Sequence, residues 1–173
     1  MKRALRATFF ERPTLQVARD LLGMFLVRRI GKKKIALMIM EVEAYDGFRD
    51  KASHAYRGRT ERTKIMFNPA GTWYVYFTYG MHWMLNMVTD KENYPAAILI
   101  RGLDGISGPG RITKFFKVDK KFNGRKANRR NKLWIEDRGV KFKKSEIKCG
   151  PRIGVQYAGR VWANKPYRFW IEI

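Results

Sequence analysis

Cysteine and histidine are nearly missing from this chain of 173 residues: Cys149 stands alone, and His54 and His82 are the only histidines. A single thiol closes no disulfide within the chain, and so few soft ligands form no cysteine-rich metal cluster, so a reducing compartment is expected. Acids are scarce as well, 15 Asp and Glu against 37 Lys and Arg, which leaves a formal charge of +22 at pH 7. Long apolar runs are also lacking. No stretch approaches the roughly 18 uncharged apolar residues of a membrane helix. The opening MKRALRATFFERP places no apolar run after its basic residues, so no secretory leader is expected. Internal repeats and low-complexity linkers do not occur. What is there excludes a disordered basic tail, because 45% of residues are hydrophobic and 14% aromatic. The length suits one domain, residues 1–173. The expected setting is cytoplasmic and nucleoid-associated in a prokaryote, or nuclear in a eukaryote, with no membrane partner.

The cations recur along the chain, as Arg28-Arg29, Lys32-Lys33-Lys34, Arg57-Gly58-Arg59 with Arg62, Lys120-Lys121, Arg129-Arg130 and Lys143-Lys144. Hydrophobic segments separate them, so the charge decorates a folded surface. Such an imbalance costs self-repulsion that a polyanion would relieve, which points to nucleic acid. Charge alone separates neither DNA from RNA nor an enzyme from a binding protein.

Residues 9–22 read as a helix with Pro13 in its first turn and Gly23 at its end. Met24–Ile30 and Ile35–Tyr45 read as strands joined by Gly31-Lys32-Lys33-Lys34. The run IALMIM predicts a second strand buried on both faces at first, delivering Glu41 to Tyr45 at its end. Residues 46–71 are irregular and long for a passive connection. An aromatic strand Thr72–Thr78, a turn at Tyr79-Gly80-Met81, and strands His82–Val88 and Ala96–Arg101 follow. Pro109 and Gly110 introduce a short helix, Arg111–Phe116. Lys132–Glu136, Gly150–Val155 and Tyr167–Ile173 are strand-like. The expected class is α+β: a curved mixed or antiparallel sheet, a β-hairpin that acts as a wedge, and few helices.

Glu43 is a strand-end acid in an acid-poor chain. It reads either as a general base in a partly desolvated cleft or as the partner of an arginine. Arg101 ends another buried strand, so the two strands bring opposite charges to one place. Alternation puts Tyr74, Tyr76 and Thr78 on one face and Trp73, Val75 and Phe77 on the other. Trp73 and Phe77 read as core. Tyr76 and Tyr79 read equally as core aromatics or as stacking platforms and a wedge at a hairpin tip. Asn86, in an apolar strand, reads as a satisfied core amide or as a contact to a base edge. EAYDGFRDKASH lacks metal-ligand spacing, Cys149 has no histidine beside it, and no lysine is marked by an apolar context.

The stretches FFERPTLQVARDLLGMFLVRR, IMEVEAYDGFRDKASHAYRGRTERTKIMF, GTWYVYFTYGMHWMLNMV, AILIRGL, SGPGRIT and PRIGVQYAG with KPYRFW run through most of the chain. In this order they resemble the alkyladenine (3-methyladenine) DNA glycosylases of the mammalian type. The resemblance implies a monomeric base-excision enzyme without cofactor or metal, acting on double-stranded DNA that carries a damaged purine. By position, Glu43 matches the general base that activates water, and Arg101 the arginine that helps hold it. Tyr45 and Tyr76 match the aromatics that sandwich the flipped base, His54 a contact to it, and Asn86 the residue set against the guanine 2-amino group. Tyr79 matches the residue inserted into the duplex, with Met81 beside it, and Arg59 and Arg62 fall in the DNA-backbone region. The connection from Arg101 to SGPG is short for the family, and Arg160 stands where an acid is common. Two other classes remain beside this one: a non-catalytic damaged-DNA or RNA-binding module, and a bifunctional lyase that uses a lysine.

Overall fold

The computed structural model describes residues 2–172. Its strands are β1 (Arg3–Ala4), β2 (Phe25–Ile30), β3 (Lys33–Asp46), β4 (Trp73–Thr78), β5 (His82–Val88), β6 (Ala96–Leu103), β7 (Ile106–Ser107), β8 (Leu133–Asp137), β9 (Lys148–Gly150) and β10 (Arg168–Trp170). They form one ten-stranded sheet with the path β1-β8-β2-β3-β6-β5-β4, while β10 pairs with β3 and β9, and β7 with β6. Every pairing is antiparallel. Four short helices, α1 (Ala7–Phe10), α2 (Thr14–Asp20), α3 (Pro109–Phe116) and α4 (Gly159–Ala163), complete an α+β fold.

The first helix is split where one was expected. Pro13 has no N–H to donate and disfavours helical backbone in the residue before it. It caps α2 with φ −48° and ψ 129°, and α1 ends before it. Val17, Ala18 and Leu21 are fully buried against the sheet. Gly23 closes the segment in left-handed backbone at φ +84°, where a Cβ would meet the Phe142 ring at 2.9 Å.

β3 is the axis of the sheet. It pairs with β2 over residues 33–38 and with β6 over residues 39–46, and its Glu41–Glu43 stretch also pairs with β10. The expectation that IALMIM is buried on both faces does not hold. Residues 35–38 and Met40 are half-buried, whereas Val42, Glu43 and Ala44 are fully buried. The first half of β3 has one face covered by the core, and only the second half is covered on both.

Two register shifts, between Ile39 and Glu41 and between Glu41 and Val42, mark bulges in the β3–β6 pair. The first leaves an extra residue on β3, Met40, and the second an extra residue on β6, Arg101. A bulge inverts the alternation of faces beyond it. Ile35, Leu37 and Ile39 therefore pack on the main core, and so do Val42 and Ala44. Glu41, Glu43 and Tyr45 turn the other way.

The main core lies between that face and α1, α2 and α3, with Phe10, Leu21, Trp73, Ile100, Ile112 and Phe116 all buried in it. The opposite face is covered by irregular chain. Ala55, Met66 and Phe67 pack with Tyr74, Val88 and Ala97, and Ala52 packs with Val155 and Ala158. Residues 47–71 and 151–163 thus form walls over the sheet. Gly150–Val155, expected as a strand, continues β9 only to Gly150. Pro151 cannot donate to a ladder, Gly154 turns at φ +76°, and Arg152 points inward. β6 continues past Arg101 into a tight hairpin with β7 through Asp104-Gly105, which accounts for the short connection to Ser107-Gly108-Pro109-Gly110.

Candidate active site

Tyr74, Asn86, Leu99 and Glu43 stand directly opposite one another in a single row across β4, β5, β6 and β3. Neighbouring positions on the same face add Tyr76 opposite Met84 and Tyr45 opposite Ala97. These side chains floor a cavity of about 310 Å³. Its walls come from the irregular segments, with Ala52, His54 and Met66 on one side and Ile153, Val155 and Tyr157 on the other. Sheet pairing, with the bulges between β3 and β6, places the floor. The walls depend on loop packing.

Glu43 is wholly buried. Its Oε1 accepts a 2.8 Å hydrogen bond from the Ile153 backbone N–H, and its Oε2 accepts a 2.9 Å bond from the Tyr45 hydroxyl. Arg101 Nε lies 3.5 Å from Oε1. The same Nε is 3.3 Å from Glu41, which in turn lies 3.3 Å from Arg168 Nε. Burial pushes the Glu43 carboxyl above its ordinary range, against the opposing pull of Arg101, the Ile153 amide and Tyr45. Burial and the Glu43 charge push the Tyr45 phenol well above its usual value, so it remains a donor at any working pH. Arg101 and Glu43 meet, and Arg101 also bridges to Glu41.

His54 and the Tyr74 hydroxyl share a 3.2 Å hydrogen bond, and the His54 ring meets Tyr76 edge-on with centroids 4.6 Å apart. Crowding by these rings, with Arg62 nearby, lowers the imidazole to about 4, so it is neutral at pH 7. Burial raises the Tyr74 phenol to about 12 and the Tyr76 phenol further. Asn86 is buried, and its Nδ2 donates to the Tyr74 carbonyl at 3.2 Å while the residue lines the cavity. The satisfied-amide reading holds for this side chain, which also faces the cavity.

Tyr79 and Gly80 form the β4–β5 turn with φ of +52° and +65°, and the Met81 N–H donates back to the Thr78 carbonyl at 3.2 Å. Positive φ at both central positions matches the twist of a two-stranded ribbon. It leaves Tyr79 81% and Met81 66% exposed at the tip. Phe77, expected in the core, is 45% exposed and packs on Trp83 with centroids 4.7 Å apart. It lies where the hairpin has already run beyond the core. Trp73 is buried as expected. Arg59 and Arg62 are exposed on the loop wall, with Arg59 over Phe67 and Arg62 5.0 Å from the Tyr76 centroid at the cavity's edge. Cys149 is exposed. Among the described residues no group of three or more His, Cys, Asp or Glu is arranged to hold a metal ion, and no helix is long and apolar enough to cross a membrane.

A family model for methylpurine-DNA glycosylases matches residues 8–107 and 104–173. The chain belongs to the methylpurine-DNA glycosylase family. Proteins bearing the name "Putative 3-methyladenine DNA glycosylase" resemble it over nearly their whole lengths. The one from Methanocella arvoryzae is 43% identical, with 94% of this chain and 89% of that protein covered. Those of Borreliella afzelii and Legionella pneumophila strain Corby are each 42% identical, covering 95% and 98% of this chain and 94% and 95% of their own. The protein is thus a DNA glycosylase, a hydrolase of base excision repair.

The glycosylase fold also gathers residues that sequence reasoning passed over. Arg152 is buried and bonds both carboxylate oxygens of Asp50, 102 residues away in the chain. Tyr157 lines the cavity with an exposed ring and donates its hydroxyl to the Ala52 carbonyl at 2.8 Å. Glu41 and Arg168 extend the charge ladder behind Arg101. Arg152 lies in PRIGVQYAG, but nothing local marks it as inward-facing, because its partner comes from the distant loop wall.

Proposed function

We propose that this glycosylase acts as a monomeric, monofunctional enzyme of one domain that removes alkylated or deaminated purines from double-stranded DNA, the class of 3-methyladenine, 7-methylguanine, hypoxanthine and 1,N6-ethenoadenine. The observation that carries the reading is Glu43: a fully buried carboxylate on the floor of an aromatic cavity, beside an exposed hairpin tip. A base inside a duplex must be extruded before its glycosidic bond is reached, and a damaged base is extruded more cheaply. Tyr79, with Met81, fills the gap left in the stack. Arg59 and Arg62 flank the entrance and meet backbone phosphates.

In the cavity the base stacks between Tyr45 and Tyr76, where electron-rich ring faces favour a cationic alkylated purine. Neutral His54 contacts it, and Asn86, held by its bond to Tyr74, obstructs a guanine 2-amino group. Glu43 takes a proton from water as the water oxygen bonds to the sugar C1′. The C1′–N bond breaks, its electron pair leaves with the purine, and an abasic site remains. Arg101, already shared with Glu41, holds the water and balances the charge.

Duplexes carrying 3-methyladenine, hypoxanthine or 1,N6-ethenoadenine test this directly: release of none of them refutes it. Glu43→Gln is expected to lower release by at least about 10²-fold, the range for a lost general base, while retaining binding to abasic-analogue DNA. No lysine is among the residues lining the cavity, so borohydride is expected to trap no covalent DNA adduct.

A further inference from the structure

The side chains of Asp50 and Arg152 are both completely shielded from solvent. Neither lines the cavity. Burying two charges costs several kcal/mol per ion before their attraction is counted, and apolar residues fill such space at least as stably. The pair therefore needs a reason beyond stability, and its contacts supply one.

Several of its contacts reach the chain beside Glu43 and Tyr45, and the others tie that strand to the two walls. Arg152 Nη1 donates to the carbonyl of Ala44, the residue after Glu43, at 2.8 Å. Its guanidinium lies 4.8 Å from the Tyr45 ring centroid and 5.2 Å from that of Tyr167. Its Nη2 bonds Asp50 Oδ1 at 2.8 Å and the Trp162 carbonyl at 3.3 Å, and Nη1 bonds Asp50 Oδ2. Asp50 in turn accepts from the Asp46 and Ala52 backbone N–H groups at 3.0 Å each, fixing the turn that leads from Tyr45 toward His54. The residue after Arg152 is Ile153, whose N–H is the 2.8 Å donor to Glu43 Oε1.

We infer that Asp50 and Arg152 are a positioning pair for excision: they hold the Ile153 N–H on Glu43 Oε1 and keep the Tyr45 ring and hydroxyl aligned with Glu43 Oε2. This role rests on the reading of Glu43 as the group that activates water. One bidentate ion pair locks the C-terminal wall, the loop wall and β3 into a single arrangement. Past Gly150, where the β9–β10–β3 ladder ends, the hydrogen bonds that tie residues 151–153 to β3 among the described residues are those of Arg152 to Ala44 and of Ile153 to Glu43. Glu43 faces Arg101 on β6, Glu41 and Tyr45 on its own strand, Arg168 opposite on β10, Tyr76 on β4, and Tyr157, the Ile153 amide and the charge of Arg152 itself on the C-terminal wall. Of these, loss of the pair releases the Ile153 amide and Tyr45, both of which favour the ionised carboxylate.

The test uses the full chain with Arg152→Lys, which keeps the charge but not the planar fork, and the double variant Asp50→Asn/Arg152→Met, which leaves no orphaned charge if the first does not fold. The ionisation midpoint of Glu43 is read by ¹³C NMR of glutamate-labelled protein, the Glu43 signal being assigned by its loss in Glu43→Gln. Single-turnover release from a hypoxanthine duplex is followed in parallel across pH. The expected result is a Glu43 midpoint displaced upward by about one unit, as follows from losing hydrogen bonds to the charged form. Release falls about tenfold below that midpoint and converges toward wild type above it. A folded variant with an unmoved midpoint, or a loss equal at every pH, overturns the inference. If the midpoint moves while even the wild type releases no purine, the positioning of the carboxylate stands and the reading of Glu43 as the base falls.

Discussion

Tyr45→Phe separates two tasks that one side chain performs. The ring is kept, so stacking on a flipped base is preserved, while the hydroxyl that donates to Glu43 Oε2 at 2.9 Å is removed. A hydrogen bond to a charged group contributes about 1.5–3 kcal/mol, and one pKa unit corresponds to about 1.4 kcal/mol. Because the lost bond favours ionised Glu43, the carboxyl rises further. Deprotonated Glu43 is the active form, so the acid limb of the pH profile moves to higher pH by the same amount. At a pH below the wild-type midpoint, release falls about ten- to hundredfold. Well above both midpoints the two enzymes differ by only a few fold. The assay is single-turnover release from a hypoxanthine duplex at sub-saturating enzyme between pH 5 and 9, where the profile reports the free protein. Affinity for abasic-analogue DNA is measured alongside. An unmoved acid limb, or a loss uniform across pH, refutes the reasoning.

Tyr79→Ala removes a ring that is 81% exposed, so the thermal midpoint should not change. Loss of a stacking contact of about 1–3 kcal/mol should lower kcat/KM on damaged duplex by roughly ten- to hundredfold, and equal activity would exclude the wedge role. Glu43→Gln should make the fold more stable. With its carboxyl raised by burial, the native state holds the proton more tightly than the unfolded chain, so stability falls as pH rises through that window. The variant should therefore unfold at a higher temperature than wild type at pH 8 and show no gain at pH 4; scanning calorimetry at both values decides. His54 works in the opposite sense. Its native value of about 4 lies below the ordinary 6.5, so the unfolded chain binds the extra proton and stability is lost as pH falls from about 6.5 toward 4. His54→Gln should narrow the difference in urea midpoint between pH 7 and pH 5, and an unchanged difference would show that the imidazole is not held neutral.

Strand positions were legible where a two-residue period or a run of β-branched and aromatic residues dominated. His82–Val88 has the same bounds in both readings, and the floor residues Tyr74 and Tyr76 share a face by alternation alone. Short elements were less so. β1, β9 and α4 are two to five residues long and carry no period. The break at Pro13 was visible as a residue but was read as the first turn of a longer helix. The site showed the same division. Glu43, Arg101 and Tyr45 were singled out by type and by an expected place at strand ends, although β6 runs on to Leu103. The buried pair of Asp50 and Arg152 was not, because a single sequence holds no signal that links two charges across 102 residues.

The two bulges between β3 and β6 explain both the misread burial of β3 and the chemistry at its end. Had β3 continued its alternation from Ile35, Leu37 and Ile39, residues 41, 43 and 45 would have followed them into the main core. Two carboxylates and a phenol there would meet only Leu, Phe and Ile, a placement that costs far more than the fold's net stability. The extra residue at Met40 turns them to the opposite face, and the extra residue at Arg101 restores the phase of β6, so that Ile98, Ile100 and Leu103 all remain in the core. Because the second bulge is Arg101 itself, its guanidinium emerges at the Glu41–Val42 step, within 3.3 Å of Glu41 and 3.5 Å of Glu43. The two bulges thus convert a core strand into the floor of a cleft. They also deliver Arg101, whose charge opposes the effect of burial on the Glu43 carboxyl.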